Sequence, residues 1–272
     1  MKLSSPTQVK GWCIENSFHP NRTLGQNFLI DGNTTEAIAA AGIENAKAAG
    51  AGERPRILEI GPGLGALTEA LLAKGAEVTA VEKDPVLAQR LAAALGSPAA
   101  LSVVEGDGLR FIEEGKADYF DAMVSNLPYA SGTRMLVELA LRHRLPSMTA
   151  LLQTEVAERL AAPEGSRTRS LAGVWMQLDY SPKILRKVSA ACFWPRPEVG
   201  STVITFAKHR ANEDFGEKER KLFRDLTKRA FAHRRKQLGS IFKDMVKSRA
   251  RAEELSLEEW TTLTKGLANE DT

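Results

Sequence analysis

Cysteine is almost absent: Cys13 and Cys192 are the two in 272 residues. They stand far apart and outside any metal-ligand spacing, which excludes a disulfide framework and a cysteine-built zinc site and points to a reducing, cytoplasmic setting. Long apolar runs are missing too. None approaches the roughly 20 residues that span a bilayer. The opening segment MKLSSPTQVKGWCIENSFHP has no continuous apolar stretch of the kind a secretory signal needs. No membrane partner is expected. The four histidines (His19, His143, His209 and His233) are scattered without metal spacing, so no metal is expected and they read as surface residues. Net charge is small, +3, and by itself names no partner.

What is present suffices for a folded protein. Hydrophobic residues make up 43% of the chain and charged residues of mixed sign 26%, which excludes disorder as the dominant state. The length suits one large domain or two unequal ones. The charge is unevenly spread. Between Lys218 and Arg251 thirteen basic residues face three acids, a local charge of +10 that leaves −7 for the remainder. A basic module is attached to a mildly acidic body.

Short apolar runs alternate with helical patterns over most of the chain. RILEI (56–60), AEVTAVE (76–82), LSVVEGD (101–107), FDAMVSN (120–126), TALLQ (149–153), KILRKV (183–188) and STVITF (201–206) read as strands. Helices are expected at 66–75, at 84–96 with Asp84 as N-cap and Pro85 in its first turn, and at 131–144. Strands separated by helices give a mostly parallel α/β sheet. The last two strands have no helix between them and are expected to form an antiparallel edge. After about residue 208 the strand signal stops and amphipathic helices follow. Two domains are predicted, residues 1–208 and 209–272.

The first chemical motif is Gly61-Pro62-Gly63-Leu64-Gly65-Ala66, between the first of these strands and its helix. Glycines let the backbone turn sharply and approach a ligand at the carboxyl end of a strand. Pro62 removes a backbone N–H where a pyrophosphate would want donors. That favours a phosphate-free adenosine cofactor, S-adenosylmethionine, over a dinucleotide. Glu82, ending the next strand, can accept both ribose hydroxyls of either cofactor. Asp107, ending the third, can accept from the adenine amine, or it can simply cap a helix.

Asn126-Leu127-Pro128-Tyr129 ends the fourth of these strands. Methylating the exocyclic amine of adenine means using a nitrogen whose lone pair is delocalised into the ring. The Asn126 side-chain oxygen and the Leu127 carbonyl can accept its N–H groups and turn the lone pair toward a methyl donor. Pro128 fixes the turn, and Tyr129 offers a face for an extruded base. The bland alternative is a strand-ending turn with Tyr129 in the core.

Taken together, the motifs resemble those of the ribosomal RNA adenine dimethyltransferase family, on its small-subunit side. The resemblance runs from Leu24-Gly25-Gln26-Asn27-Phe28-Leu29 through Glu59-Ile60-Gly61-Pro62-Gly63 to Asn126-Leu127-Pro128-Tyr129. It continues at Phe193-Trp194-Pro195-Arg196-Pro197 and Phe231-Ala232-His233-Arg234-Arg235-Lys236, covering nearly the whole chain. It implies a Rossmann-like S-adenosylmethionine-dependent methyltransferase domain followed by a small helical RNA-binding domain. It also implies cofactor contacts at Asn27, Leu29, Gly61, Gly63, Glu82, Asp107 and Asn126, and a reaction centre at Asn126, Leu127, Pro128 and Tyr129, with Phe193 holding the base opposite Tyr129. Arg234, Arg235 and Lys236 are the expected RNA contacts. The implied substrate is two adjacent adenines of small-subunit ribosomal RNA within an immature subunit, acted on by a cytoplasmic monomer. Two departures stand out. The segment His19-Pro20-Asn21-Arg22-Thr23 is weakly basic, and Gly200 precedes Ser201 where the family tends to have an acid.

The implied chemistry is direct in-line transfer, needing orientation and acceptors more than an obligate base. Three other readings stay open: a large-subunit methyltransferase of the antibiotic-resistance type, a nucleotide-dependent dehydrogenase, and an RNA-binding assembly factor without activity. The dehydrogenase would give Asn126-Leu127-Pro128-Tyr129 no role. Trp12, Trp175 and Trp260 read as packing residues.

Overall fold

The computed structural model describes residues 5–21, 24–143, 145–246 and 248–270. Arg22, Arg144 at the end of an expected helix, and Lys247 of the basic stretch lie outside them. In chain order the first unit carries α1 (Pro6–Glu15), β1 (Phe28–Leu29), α2 (Gly32–Ala48), β2 (Arg56–Ile60), α3 (Ala66–Ala73), β3 (Glu77–Glu82), α4 (Pro85–Ala94), β4 (Leu101–Glu105), α5 (Gly108–Glu113), β5 (Ala122–Asn126), α6 (Gly132–Glu138) and β6 (Ser147–Gln153). Then come α7 (Thr154–Ala161), α8 (Leu171–Gln177), β7 (Tyr180–Val188), β8 (Phe193–Trp194), β9 (Ser201–Lys208), α9 (Glu217–Ala232), α10 (Leu238–Phe242) and α11 (Leu257–Glu270). No helix among the described residues is long and apolar enough to cross a membrane.

Seven strands form one sheet in the order β4-β3-β2-β5-β6-β9-β7, and β1 pairs with β8 in a small antiparallel ribbon. From β4 to β6 the pairs are parallel, and β9 runs antiparallel to β6. The first strand of the sheet, β2, lies inside it, third in the order. The chain builds outward to β3 and β4, then returns to the other side of β2 with β5. The crevice at this switch, outside the carboxyl ends of β2 and β5, is where open α/β sheets bind ligands. The expected antiparallel edge takes a particular form: β9 enters between β6 and β7. Val203, Ile204 and Phe206 are buried and suit β9 to an inner position. β7, exposing Lys183, Arg186 and Lys187, suits an edge, where charge discourages further pairing.

Asp84 caps α4 as expected, its carboxylate accepting from the Val86 and Leu87 N–H groups, and Asp107 caps α5 in the same way. One apolar core joins the sheet to α2 and α3 through Ile38, Ile43, Ile57, Leu71, Val78 and Val124. The expected 131–144 helix is α-helical only to Glu138 and continues as a π-type turn over Leu139–His143.

The chain divides into two compact units, 1–157 with 181–208, and 158–180 with 209–272. Residues 158–180 belong with the residues after Lys208. Their reason is hydrophobic: Val174 and Leu178 share one core with Phe223, Leu226, Phe231 and Trp260. A buried ion pair reinforces it, Arg220 donating to both Asp179 carboxylate oxygens at 2.7 and 3.0 Å. His143 also differs from expectation: its ring is buried, bonded to Asp118 and to the Ile112 carbonyl.

Candidate active site

The turn after β2 is built by residues that only glycine allows. Gly61 and Gly63 have φ of +69° and +59°, the left-handed region. A Cβ on Gly63 would lie 3.0 Å from the Phe28 ring. The Gly63 N–H donates to Glu82 Oε2 at 3.0 Å, while Glu82 Oε1 accepts from the Asp84 N–H at 2.9 Å. These bonds fix both oxygens of the Glu82 carboxylate, which is 6% exposed, and leave acceptor capacity over. Burial pushes its carboxyl above the ordinary carboxylate range, the two backbone donors opposing.

Asp107 combines both roles that its position allows. Oδ1 caps α5, accepting from Leu109 and Arg110, and Oδ2 accepts from Lys83 Nζ at 2.8 Å. The Lys83 hydrogen bond holds its carboxyl below the usual range. Lys83 is therefore a neighbour that any ligand of Asp107 must share.

At the end of β5, Asn126 Nδ2 donates to the Asn27 backbone carbonyl at 3.3 Å. That contact commits the nitrogen end of the amide and leaves Oδ1 as its acceptor. Leu127 is buried, its N–H donating to the Leu151 carbonyl, and the Pro128 carbonyl accepts from Ser131 and Gly132 as α6 begins. The Tyr129 hydroxyl is 2.8 Å from Ser201 Oγ, and burial raises its phenol.

These groups face one cavity of about 330 Å³, in the range of small-molecule sites. Every cofactor or reaction-centre residue named from the motifs lines it except Phe193. The correction at Phe193 has a plain cause. In the β1–β8 ribbon Phe193 pairs with Leu29, and alternation turns its ring into the core, 2% exposed, beside Val188 and Val203. Leu29, its partner in the ribbon, is the one of the two that lines the cavity. Trp194 packs instead toward Phe28, Leu64 and Leu87.

Three wall residues were missed. Gln26 Nε2 donates to Asp84 Oδ2 at 2.8 Å. Lys83, the residue after Glu82, reaches across to Asp107. Glu59, 1% exposed, accepts from Thr68 Oγ1 at 2.7 Å, and burial pushes its carboxyl up to about 8. The available signal was position: Gln26 and Glu59 lie inside the quoted motifs, and Lys83 is next to Glu82. Behind the wall, buried Ser125 accepts from the Ile60 N–H at 2.9 Å and ties β5 to the glycine turn.

The cavity's chemistry suits the adenosine part of S-adenosylmethionine. A turn without Cβ atoms allows close approach, Glu82 and Asp107 supply carboxylate acceptors, and Ile60, Leu64, Leu87 and Leu109 provide apolar wall. Pro62 offers no N–H for a pyrophosphate.

In the second unit, Arg235 and Lys236 are exposed. Arg234 is committed internally, donating to the Arg167 carbonyl at 3.0 Å, pairing with Glu253 at 3.7 Å and lying over the Phe231 ring.

The ribosomal RNA adenine dimethylase profile matches residues 17–267. A ribosomal RNA small subunit methyltransferase A from Bifidobacterium longum subsp. infantis is 33% identical over 97% of this chain and 94% of its own length. The protein of that name from Mycobacterium tuberculosis is 35% identical over 89% of this chain and 76% of its own. Among solved structures, a dimethyladenosine transferase from Plasmodium falciparum superposes with a TM-score of 0.73 at 20% identity, covering 86% of this chain and 96% of that one. The 23S rRNA methyltransferase ErmE gives 0.64 at 23%, covering 86% and 97%; both likenesses bear on the fold. The chain belongs to the ribosomal RNA adenine dimethylase family and is a methyltransferase acting on adenine in ribosomal RNA.

Proposed function

We propose that this enzyme transfers methyl groups from S-adenosylmethionine to the exocyclic amines of two adjacent adenines in small-subunit ribosomal RNA, giving N6,N6-dimethyladenosine. It acts as a cytoplasmic monomer on an immature small subunit. The observation that carries the reading is the Asn126 amide, whose nitrogen is held by Asn27 so that its oxygen is left to accept from a base amine. The same cavity holds Glu82 and the glycine turn. The cofactor, when bound, supplies an electrophilic methyl group on a sulfonium.

The protein's part is positioning. Glu82 and Asp107 hold the adenosine end, while Asn27 and Leu29 close the wall beside it. Asn126 and the Leu127 carbonyl orient the target amine, and Tyr129, pinned by Ser201, stacks on the extruded base. For the second transfer the monomethylated amine rotates and presents its remaining hydrogen to the same acceptors. Arg235 and Lys236, in the basic second unit, contact RNA phosphates.

The test uses small subunits from a strain lacking this modification, methyl-labelled cofactor and mass spectrometry of the digested RNA. Dimethyladenosine in small-subunit RNA is expected, and none in large-subunit RNA. Asn126→Ala lowers single-turnover rate about a hundredfold while subunit affinity stays near normal. Label in large-subunit RNA alone, or an unchanged rate, would overturn the reading.

A further inference from the structure

The segment before β1 is tied to the acid-bearing end of β3 by one side chain. Gln26 Oε1 accepts from the Asn21 N–H at 2.7 Å, and the Gln26 N–H donates to the Asn21 carbonyl at 3.2 Å. The other end of the side chain, Nε2, donates to Asp84 Oδ2 at 2.8 Å. Asp84 uses Oδ1 to cap α4, and its own N–H holds Glu82 Oε1. Glu82 Oε2 in turn holds the Gly63 N–H. A continuous chain of hydrogen bonds therefore runs from Asn21 through Gln26, Asp84 and Glu82 to the glycine turn. Asn27, next to Gln26, carries the carbonyl that holds Asn126.

We infer that Gln26 is a positioning residue: through Asp84 it latches the 24–29 segment over the cavity and keeps Glu82 and its backbone donors in binding-competent geometry before the cofactor arrives. Two features support a latch over a simple surface contact. Gln26 spans 58 residues of sequence to reach Asp84, joining two walls of one cavity. Its acceptor is the carboxylate whose backbone N–H bonds Glu82, so the contact bears on the binding group itself. The gain is preorganisation: without the latch, cofactor binding must order the segment and lose that entropy. Bound cofactor packs against Asn27 and Leu29 and restores the order, so the effect falls on binding and leaves the methyl-transfer step alone.

The inference rests on the cofactor reading above, and the experiment separates the two. Calorimetric titration of wild-type enzyme with S-adenosylmethionine tests that reading alone. Gln26→Ala removes the latch, and Gln26→Glu keeps the side-chain size while removing the donor. Each is expected to weaken cofactor affinity about three- to tenfold. KM for the cofactor should rise to match, with kcat at saturating cofactor and KM for the small subunit within about twofold of wild type. In the Asp84→Asn background, Gln26→Ala should add little, because the pair acts as one unit. Amide exchange in cofactor-free enzyme is expected to quicken at Asp84 and Gly63 in both Gln26 variants. Unchanged affinity and unchanged exchange would overturn the latch, as would losses that add fully with Asp84→Asn or that appear in kcat alone.

Discussion

Two carboxylates in the cavity wall carry different burdens, and each makes a separate prediction. Glu82 keeps acceptor capacity beyond its two backbone donors. Glu82→Ala should therefore weaken S-adenosylmethionine binding about tenfold or more in a calorimetric titration. An unchanged affinity would remove Glu82 from the site. Glu59 has a different signature, because burial raises its carboxyl from the ordinary 4.5 to about 8. Below pH 4.5 the group is neutral in both folded and unfolded chains. Between 4.5 and about 8 only the unfolded chain ionises, so stability falls with rising pH across that window and the loss is complete above it. The loss is on the order of a few kcal/mol. Gln at 59 stays neutral and can still accept from Thr68, so the melting temperature of Glu59→Gln should vary less between pH 5 and pH 8 than that of wild type. Parallel pH profiles for the two proteins would show that Glu59 does not titrate in this range. At this scale the sequence was partly legible. The placement of Glu82, Asp107 and Asn126 along the cavity could be read, because each lies at or just beyond the carboxyl end of a strand. Lys83 and Gln26 could not, because their importance lies in which carboxylate they reach.

At the scale of elements, the β2–α3 turn and the β1–β8 ribbon show how local rules and pairing divide the work. The turn is local: positive φ at Gly61 and Gly63 demands glycine wherever the chain goes next. Gly63→Ala adds backbone strain of about 1–2 kcal/mol. It also brings a methyl group to 3.0 Å from the Phe28 ring. We expect cofactor affinity to fall about tenfold while far-UV circular dichroism stays native; full affinity would mean the turn tolerates a side chain. The ribbon is the opposite case. FWPRP names an aromatic beside a turn, but the direction of each ring follows from pairing Leu29 with Phe193. Shifting that register by one residue would exchange Phe193 and Trp194 between the two apolar clusters they pack in. The inner place of β9 likewise depends on a partner, the β6 edge left open once β5 has paired.

For the whole molecule, the basic second unit predicts how binding responds to salt. Each phosphate contact contributes about 0.7–0.9 to the slope of log affinity against log salt. Arg235 and Lys236 are exposed, whereas Arg234 is tied to Arg167, Glu253 and Phe231. Changing Arg235 and Lys236 together to Ala should weaken small-subunit binding and flatten the slope by about 1.5, leaving melting temperature and cofactor affinity unchanged. Arg234→Ala should instead lower the melting temperature, with a smaller change in slope. Equal slopes for wild type and the double variant across a salt series would place the docking contacts elsewhere.

The alternating α/β pattern, the left-handed glycine turn, the helix caps at Asp84 and Asp107 and the concentration of basic residues after 217 follow from sequence by itself. Each rests on local backbone preference, periodicity or charge. Tertiary structure alone decided that 158–180 pack with the C-terminal helices and that Phe193 faces the core. It also decided that Arg234 is spent on its own unit and that Glu59 is buried deeply enough to hold its proton. All four depend on which surfaces meet across long stretches of chain. Burial and partner choice are properties of that meeting, so a residue type and its spacing could not contain them.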